Sequence, residues 1–378
     1  MYSTLSTMFS SLPPLREFTP PTPETYMISL KIFQYFPIVS IIQWLTSFHP
    51  AGKTSFQRAW LNFPGKLGWF TMEIVGPANL CYILWKSSAI VSLSSLPFAN
   101  KLIIALYLTH YLNRAIISPF FVAPSMSPIH LFVVAMAVTF NWFNSTCIAG
   151  WALGYHAPIV GHPTVVDDAS SFLETPTITT TTTTTSSSTT TNASSLPCIV
   201  GITLFILGML TNIRAETTLF RLRREEAESR AAKKSDDPDV AGSGRQSKYS
   251  KVYVIPPCRG LFRTILYPHY VGEWLEWVGF ALVGSAVYPF SFPSSPASSA
   301  VVGNVAPESL QLAPWLVPFA VLAQRWEFPL PLPAVVFVVN AVTNMLPHAR
   351  WGRKWYVQKF GQEAVAGRGA VVPFVSWI

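Results

Sequence analysis

An ionised side chain inside an apolar stretch is costly, about 2.5–3.5 kcal/mol at a membrane centre on insertion scales, so those that occur are candidates for chemistry. Glu73 is the clearest, in Trp69-Phe70-Thr71-Met72-Glu73-Ile74-Val75-Gly76-Pro77. It either snorkels to an interface beside Lys66 or handles a proton inside the protein. Leu108-Thr109-His110-Tyr111-Leu112-Asn113-Arg114 packs several polar groups onto one otherwise apolar helix. His110, Tyr111 and Arg114 fit an interfacial belt; taken with Glu73, they also fit a proton-handling pair beside an anion site. Asn141, Asn144 and Asn212 can cross-link helices by hydrogen bonds. Arg221, Arg223 and Arg224 either enforce topology or offer guanidinium forks to phosphates. Further on, Pro268-His269-Tyr270-Val271-Gly272-Glu273-Trp274-Leu275-Glu276-Trp277 puts two carboxylates on one helical face. Their place at a helix start suits the helix dipole, but two carboxylates, a His and two Trp entering an apolar span together exceed what capping requires.

Several chemistries are excluded. Gly52-Lys53-Thr54 resembles the end of a phosphate-binding loop, but Ser47 stands where the earlier glycine is needed. No Gly-rich dinucleotide fingerprint precedes a helix, so any nucleotide must bind without a Rossmann domain. Cys81, Cys147, Cys198 and Cys258 have no metal-ligand spacing, and no metal is expected. The net charge of +8 collects just outside the apolar blocks and forms no aromatic-interleaved face, which argues against nucleic acid.

What must position these residues is a set of membrane helices. Only 12% of the 378 residues are charged, against about 25% in ordinary soluble domains. Apolar blocks lie near residues 27–48, 69–93, 98–121, 130–153, 196–213, 272–292 and 313–346, the last breakable around Arg325–Pro333. The expectation is an all-α polytopic membrane protein with about seven transmembrane helices. Residues 1–26 form a disordered N-terminal segment without a signal-peptide pattern, and 27–378 a membrane domain. Two insertions interrupt it, a Thr/Ser-rich one at about 165–195 and a charged linker at about 225–250. No Lys or Arg occurs from Cys147 to Ile213 or from Thr264 to Gln324, whereas 214–263 and 350–359 are basic. The positive-inside rule then puts the C-terminus in the cytosol and the N-terminus in the lumen. Asn192-Ala193-Ser194 becomes a reachable glycosylation sequon, and Asn144-Ser145-Thr146 an unreachable one.

In this order the pieces resemble the steroid 5α-reductase family (3-oxo-5α-steroid 4-dehydrogenases), from about Leu61 onward. The resemblance rests on His110-Tyr111 with Arg114, Gly-Met followed by Asn212, Ile-Pro followed by Gly-Leu-Phe, His269-Tyr270-Val271-Gly272-Glu273 with Glu276-Trp277, and Lys354-Trp355-Tyr356 with Lys359-Phe360. It implies a seven-helix enzyme of the endoplasmic reticulum membrane that uses NADPH to reduce a carbon-carbon double bond conjugated to a carbonyl in a steroid-like lipid. Glu73 and Tyr111 would be the catalytic pair that polarises the carbonyl, the carboxyl orienting the phenol. Arg114, Asn144, Asn212, Glu216, Arg223, Tyr253, His269, Glu273 and Tyr356 would line the cofactor pocket. Glu216 stands where the steroid enzymes have Asp, Val254 where a basic residue is common, and Gly352-Arg353 where His is common. Within the family, polyprenol reductase and very-long-chain enoyl-CoA reductase are the alternatives. Outside it stand a non-enzymatic scaffold or transporter and a lipid methyltransferase.

Overall fold

The computed structural model describes residues 13–46, 60–89, 91–162, 195–235, 248–249, 252–287 and 309–375. The first helix, α1 (Pro23–Phe33), begins where its sequence dictates: proline occupies the first turn, and Thr22 and Thr25 cap each other's backbone N–H. The Thr25 hydroxyl also donates to the Glu17 carbonyl at 2.6 Å, fixing the turn at Leu15–Glu17. The expected disorder through residue 26 is therefore corrected: within the described residues this segment is folded, and Tyr26 and Thr25 are buried.

After a short 3-10 turn come α2 (Ser40–Leu45), α3 (Gly65–Ser87) and α4 (Phe98–Tyr111). The last continues in wider π winding over Leu112–Val122. Such winding commonly accompanies functional sites. Next are α5 (Leu131–Ala152), α6 (Ser195–Ser235), α7 (Pro268–Gly284), α8 (Val317–Arg325), α9 (Leu332–Phe360) and α10 (Gln362–Val365). Two short antiparallel strands, Asn62–Phe63 and Ile129–His130, pin the start of α3 to the start of α5.

The protein is helical and built to lie in a membrane. Among the described residues, four stretches are long and apolar enough to cross one: Pro23–Leu45, Leu131–Ala152, Leu196–Lys233 and Leu332–Phe360. α3, α4 and α7 stand where further spans are expected, but α3 carries Glu73 and two lysines, and α7 has 17 residues. The apolar block 313–346 divides, as its composition suggests, between α8 and α9. The charged stretch from 225 is not all linker, because α6 runs on to Ser235. Pairs four residues apart, Arg221 with Glu225 at 3.7 Å and Glu226 with Arg230 at 2.7 Å, support that extension. Asn192 and the Thr-rich run lie outside the described residues.

Two features hold the chemistry-bearing helices in place. α6 and α7 meet backbone to backbone through Gly201 and Gly208 on one side and Gly272 and Gly279 on the other. A Cβ at Gly208 would stand 2.4 Å from the Glu276 nitrogen, and one at Gly279 2.4 Å from the Phe205 nitrogen. Small residues permit this approach in a membrane, where hydrocarbon side chains gain nothing by leaving lipid. Gly208→Val is therefore expected to destabilise the detergent-solubilised protein by about 1–3 kcal/mol. In thermal unfolding, Leu207→Val on the lipid-facing side should leave the midpoint almost unchanged.

The second feature is Arg368, almost wholly buried. Its guanidinium donates to the carbonyls of Pro256 (2.7 Å), Val365 (2.9 Å), Ala364 (3.0 Å) and Phe262 (3.2 Å). Its own carbonyl accepts from Arg353 Nε at 2.8 Å. Burial lowers its pKa from the ordinary arginine value. One side chain thus ties the segment before α7 and the tail after α10 to the end of α9.

Candidate active site

Four helices converge on Arg114, in the π-wound turn after α4. Its Nη1 bonds Glu216 Oε1 at 2.7 Å, its Nε faces Glu73 Oε1 at 3.5 Å, and its Nη2 faces Glu273 Oε2 at 3.6 Å. Trp69 lies under the guanidinium at 4.5 Å and donates its indole N–H to the Arg114 carbonyl at 3.1 Å. Glu216 also accepts from the Ser118 hydroxyl at 3.2 Å, and Glu273 from Asn212 at 3.2 Å. The α6–α7 contact sets that last bond, since a Cβ at Gly272 would sit 2.8 Å from the Asn212 nitrogen. Three carboxylates around one fixed cation make a site that is strongly polar and largely shielded from solvent.

Beside this cluster is a cavity of about 230 Å³ lined by Glu73, His110, Tyr111, Arg114, Asn141 and Glu273, with apolar walls from α5 and α9. Tyr111 is buried, its ring 4.6 Å from Tyr107 and 5.1 Å from His110. Its hydroxyl donates to Asn141 Oδ1 at 2.9 Å, and Asn141 is held by its own donation to the Met72 carbonyl at 2.7 Å. This corrects the expectation that a carboxyl orients the phenol: Asn141 does so, and Glu73 turns to Arg114. The arrangement is rigid because both sides of the Asn141 amide are engaged. His110 Nδ1 lies 2.8 Å from Glu276 Oε1, both buried, so the second of the paired carboxylates serves this histidine rather than Arg114.

The remaining candidates fall into two places. Asn144 lies behind the cavity and donates to the Tyr107 hydroxyl at 3.3 Å. His269 and Tyr356 gather around Tyr267, at 5.5 and 6.3 Å between ring centroids, and Tyr270 links them to the cavity it lines. Tyr253 packs edge-on to Trp355 at 4.9 Å. Arg223 donates to the carbonyls of Ser125 (2.9 Å) and Tyr249 (3.1 Å). Among the described residues the buried Arg223 Nε and Arg353 Nη2 have no hydrogen-bond partner. Two unused guanidinium donors suit an anion such as a nucleotide phosphate. In the sequence Arg353 stands out only as a departure where His is common; its burial is what makes it a candidate. No cluster of His, Cys, Asp or Glu among the described residues could hold a metal.

Comparison with known proteins finds similar sequences. The family model described as 3-oxo-5-alpha-steroid 4-dehydrogenase matches residues 243–301, the stretch that includes α7. An uncharacterized protein of Schizosaccharomyces pombe is 25% identical over 369 residues, 93% of this chain and 98% of the relative. Steroid 5-alpha-reductase DET2 of Arabidopsis thaliana is 24% identical over 82% of this chain and 80% of its own length. The 3-oxo-5-alpha-steroid 4-dehydrogenase 1 of Rattus norvegicus is 23% identical over 90% of this chain and 92% of its own length. With the ordered motifs and the helical membrane architecture, these matches make the chain similar to the steroid 5α-reductases along most of its length.

Proposed function

We propose that this protein is an NADPH-dependent reductase of a carbon-carbon double bond conjugated to a carbonyl in a steroid-like lipid. The observation that carries the reading is the Tyr111 hydroxyl, fixed by Asn141 at 2.9 Å on the wall of a cavity that also presents Glu73 and Arg114. A substrate carbonyl entering there takes over the phenolic proton as an oxyanion-type hydrogen bond, and the enclosed surroundings strengthen it. Glu73 lies on the same wall, where Arg114 positions it. NADPH, when bound, supplies the hydride for the β-carbon. Arg114, Asn212, Glu216 and Glu273 would border its reactive end, with Asn144 supporting that wall from behind. Arg223, Tyr253, His269 and Tyr356 would hold the remainder, joined by Arg353. The unused donors of Arg223 and Arg353 are what support an anionic cofactor at that end. The protein would lie in the endoplasmic reticulum membrane with its N-terminus lumenal and its C-terminus cytosolic, so that a soluble dinucleotide reaches the site.

NADPH oxidation by the purified protein tests the reading, with a 4-ene-3-ketosteroid, a polyprenol and an enoyl-CoA offered in parallel. Turnover is expected on the ketosteroid. Glu73→Gln should lower kcat on that substrate by about 10²-fold or more, the range seen for lost charge-positioning groups. Oxidation on none of the three substrates, with no NADPH bound, would refute the proposal.

A further inference from the structure

His110 of α4 and Glu276 of α7 are both buried, and they meet at 2.8 Å through Nδ1 and Oε1. The other carboxylates of the site, Glu73, Glu216 and Glu273, all lie against Arg114. Glu276 Oε2, by contrast, is buried with no hydrogen-bond partner among the described residues. Glu276 is thus left to a single imidazole. A buried carboxylate oxygen without a donor is costly, and a catalytic role is one reason for such a group to persist. The imidazole does not turn freely, since its ring packs 4.4 Å from Trp277 and 5.1 Å from Tyr111. With Nδ1 engaged, Nε2 is the nitrogen that remains for the cavity His110 lines.

Reducing a conjugated double bond takes a proton as well as a hydride. Once the β-carbon has its hydride the substrate is an enolate, and the α-carbon must gain a proton before a saturated ketone can leave. That carbon neighbours the carbonyl carbon, so its proton donor must stand beside Tyr111. Among the groups on the cavity wall, Arg114 does not give up its proton, and Glu73 and Glu273 are committed to its guanidinium. His348 stands against Tyr270, at 6.1 Å between ring centroids, and Tyr270 against Tyr267 and His269. His110 is the group that is both beside Tyr111 and open at one nitrogen.

We propose that His110 is the acid that protonates the α-carbon, and that Glu276 is the positioning residue that holds its imidazolium. The inference rests on the reductase reading and adds a catalytic residue to it. In the step, the Nε2–H bond breaks as the enolate's electron pair forms the new bond from the α-carbon to hydrogen. The ring is left neutral, still donating its Nδ1–H to Glu276, and a solvent proton restores it. The hydride donor has already been oxidised and the double bond reduced, so this step moves only a proton.

By microscopic reversibility the neutral imidazole removes the same proton from the saturated ketone, which makes the step measurable without any cofactor. The full chain in lipid nanodiscs is incubated with a saturated 3-ketosteroid in deuterated water. Deuterium at each α-carbon is followed by NMR, and steroid binding is measured alongside. The wild type should exchange one of the two hydrogens on the α-carbon nearer the ring junction. His110→Gln should bind the steroid and lose exchange by about 10²-fold or more, the range of general acid–base catalysis, whereas His348→Gln should keep the wild-type rate. Glu276→Gln keeps an acceptor for Nδ1 but not the charge, so the rise of exchange with pH should move to lower pH. The other titratable and charged groups around the cavity, Glu73 of α3, Tyr111 of α4, Arg114, Tyr270 and Glu273 of α7 and His348 of α9, are unaltered in that variant. A purely structural Glu276 would leave the profile where it is. Wild-type exchange in His110→Gln, or no exchange in a wild type that binds the ketone, overturns the proposal; NADPH-dependent turnover of a 4-ene-3-ketosteroid in the same preparation then leaves the reductase reading standing. Should His110→Gln lose steroid binding, an unshifted profile in Glu276→Gln overturns the proposal instead. Neither ketone binding nor NADPH-dependent turnover in the wild type overturns both.

Discussion

Tyr111→Phe is expected to lower the single-turnover rate on a 4-ene-3-ketosteroid by about 10²–10³-fold, as removal of one oxyanion donor does elsewhere. The ring should stay in place, because it is buried and packed 4.6 Å from Tyr107, with His110 and Trp277 also against it. The variant should therefore remain inserted in the membrane and still bind NADPH. A modest loss of stability of about 1–3 kcal/mol is also expected, since Asn141 Oδ1 loses the donor it now accepts from. Rapid-mixing measurement of hydride transfer separates the two effects. A wild-type rate constant in the variant would remove Tyr111 from the chemistry and leave it a packing residue. Asn141→Leu makes a companion case: the phenol survives but loses its orientation, so kcat should fall while NADPH affinity holds.

Arg114→Met should have the largest effect on stability. It leaves Glu73, Glu216 and Glu273 facing one another without the cation that each of them meets within 3.6 Å. Breaking a buried ion pair by removing one partner typically costs about 3–5 kcal/mol, because the remaining charge stays desolvated. Thermal unfolding in detergent reads this cost directly. If repulsion is the cause, adding Glu216→Gln to Arg114→Met should recover part of the loss. No recovery would point instead to the lost stacking on Trp69. Arg114→Lys should fall between the two, as one ammonium cannot serve three directions in the way a guanidinium does.

Much of this site was legible in the sequence because membrane insertion makes polar residues conspicuous. Glu73, His110, Tyr111 and Arg114 stood out against apolar neighbours, and the structure brings all four to one cavity. The carboxylates of α7 were legible as a pair, but not their separate assignments, Glu273 to Arg114 and Glu276 to His110. Those depend on how α7 is rotated against α4, which no single-helix pattern records. The role of Asn141 was hidden for a similar reason: an amide in a span reads as interhelical glue until its partner is known to be Tyr111. Helix boundaries were misjudged where local chemistry outweighed hydropathy, at the Thr22 cap and along the ion-paired end of α6. Arg368 was invisible because its partners are backbone carbonyls, which leave no trace in side-chain composition.

The glycine contact between α6 and α7 also bears on how the molecule can move. Gly201, Phe205, Gly208 and Asn212 alternate small and large residues along α6, and Gly272, Glu276, Gly279 and Val283 do so along α7. Sliding one helix along the other would drive a side chain into the partner's backbone, so this interface has a single permitted alignment and no low-energy shear. A ligand cannot be admitted by parting these two helices without breaking their whole contact. They form a fixed frame, and any breathing that lets molecules in and out must come from elements packed through side chains, such as α5 and α9 on the apolar walls of the cavity at Tyr111.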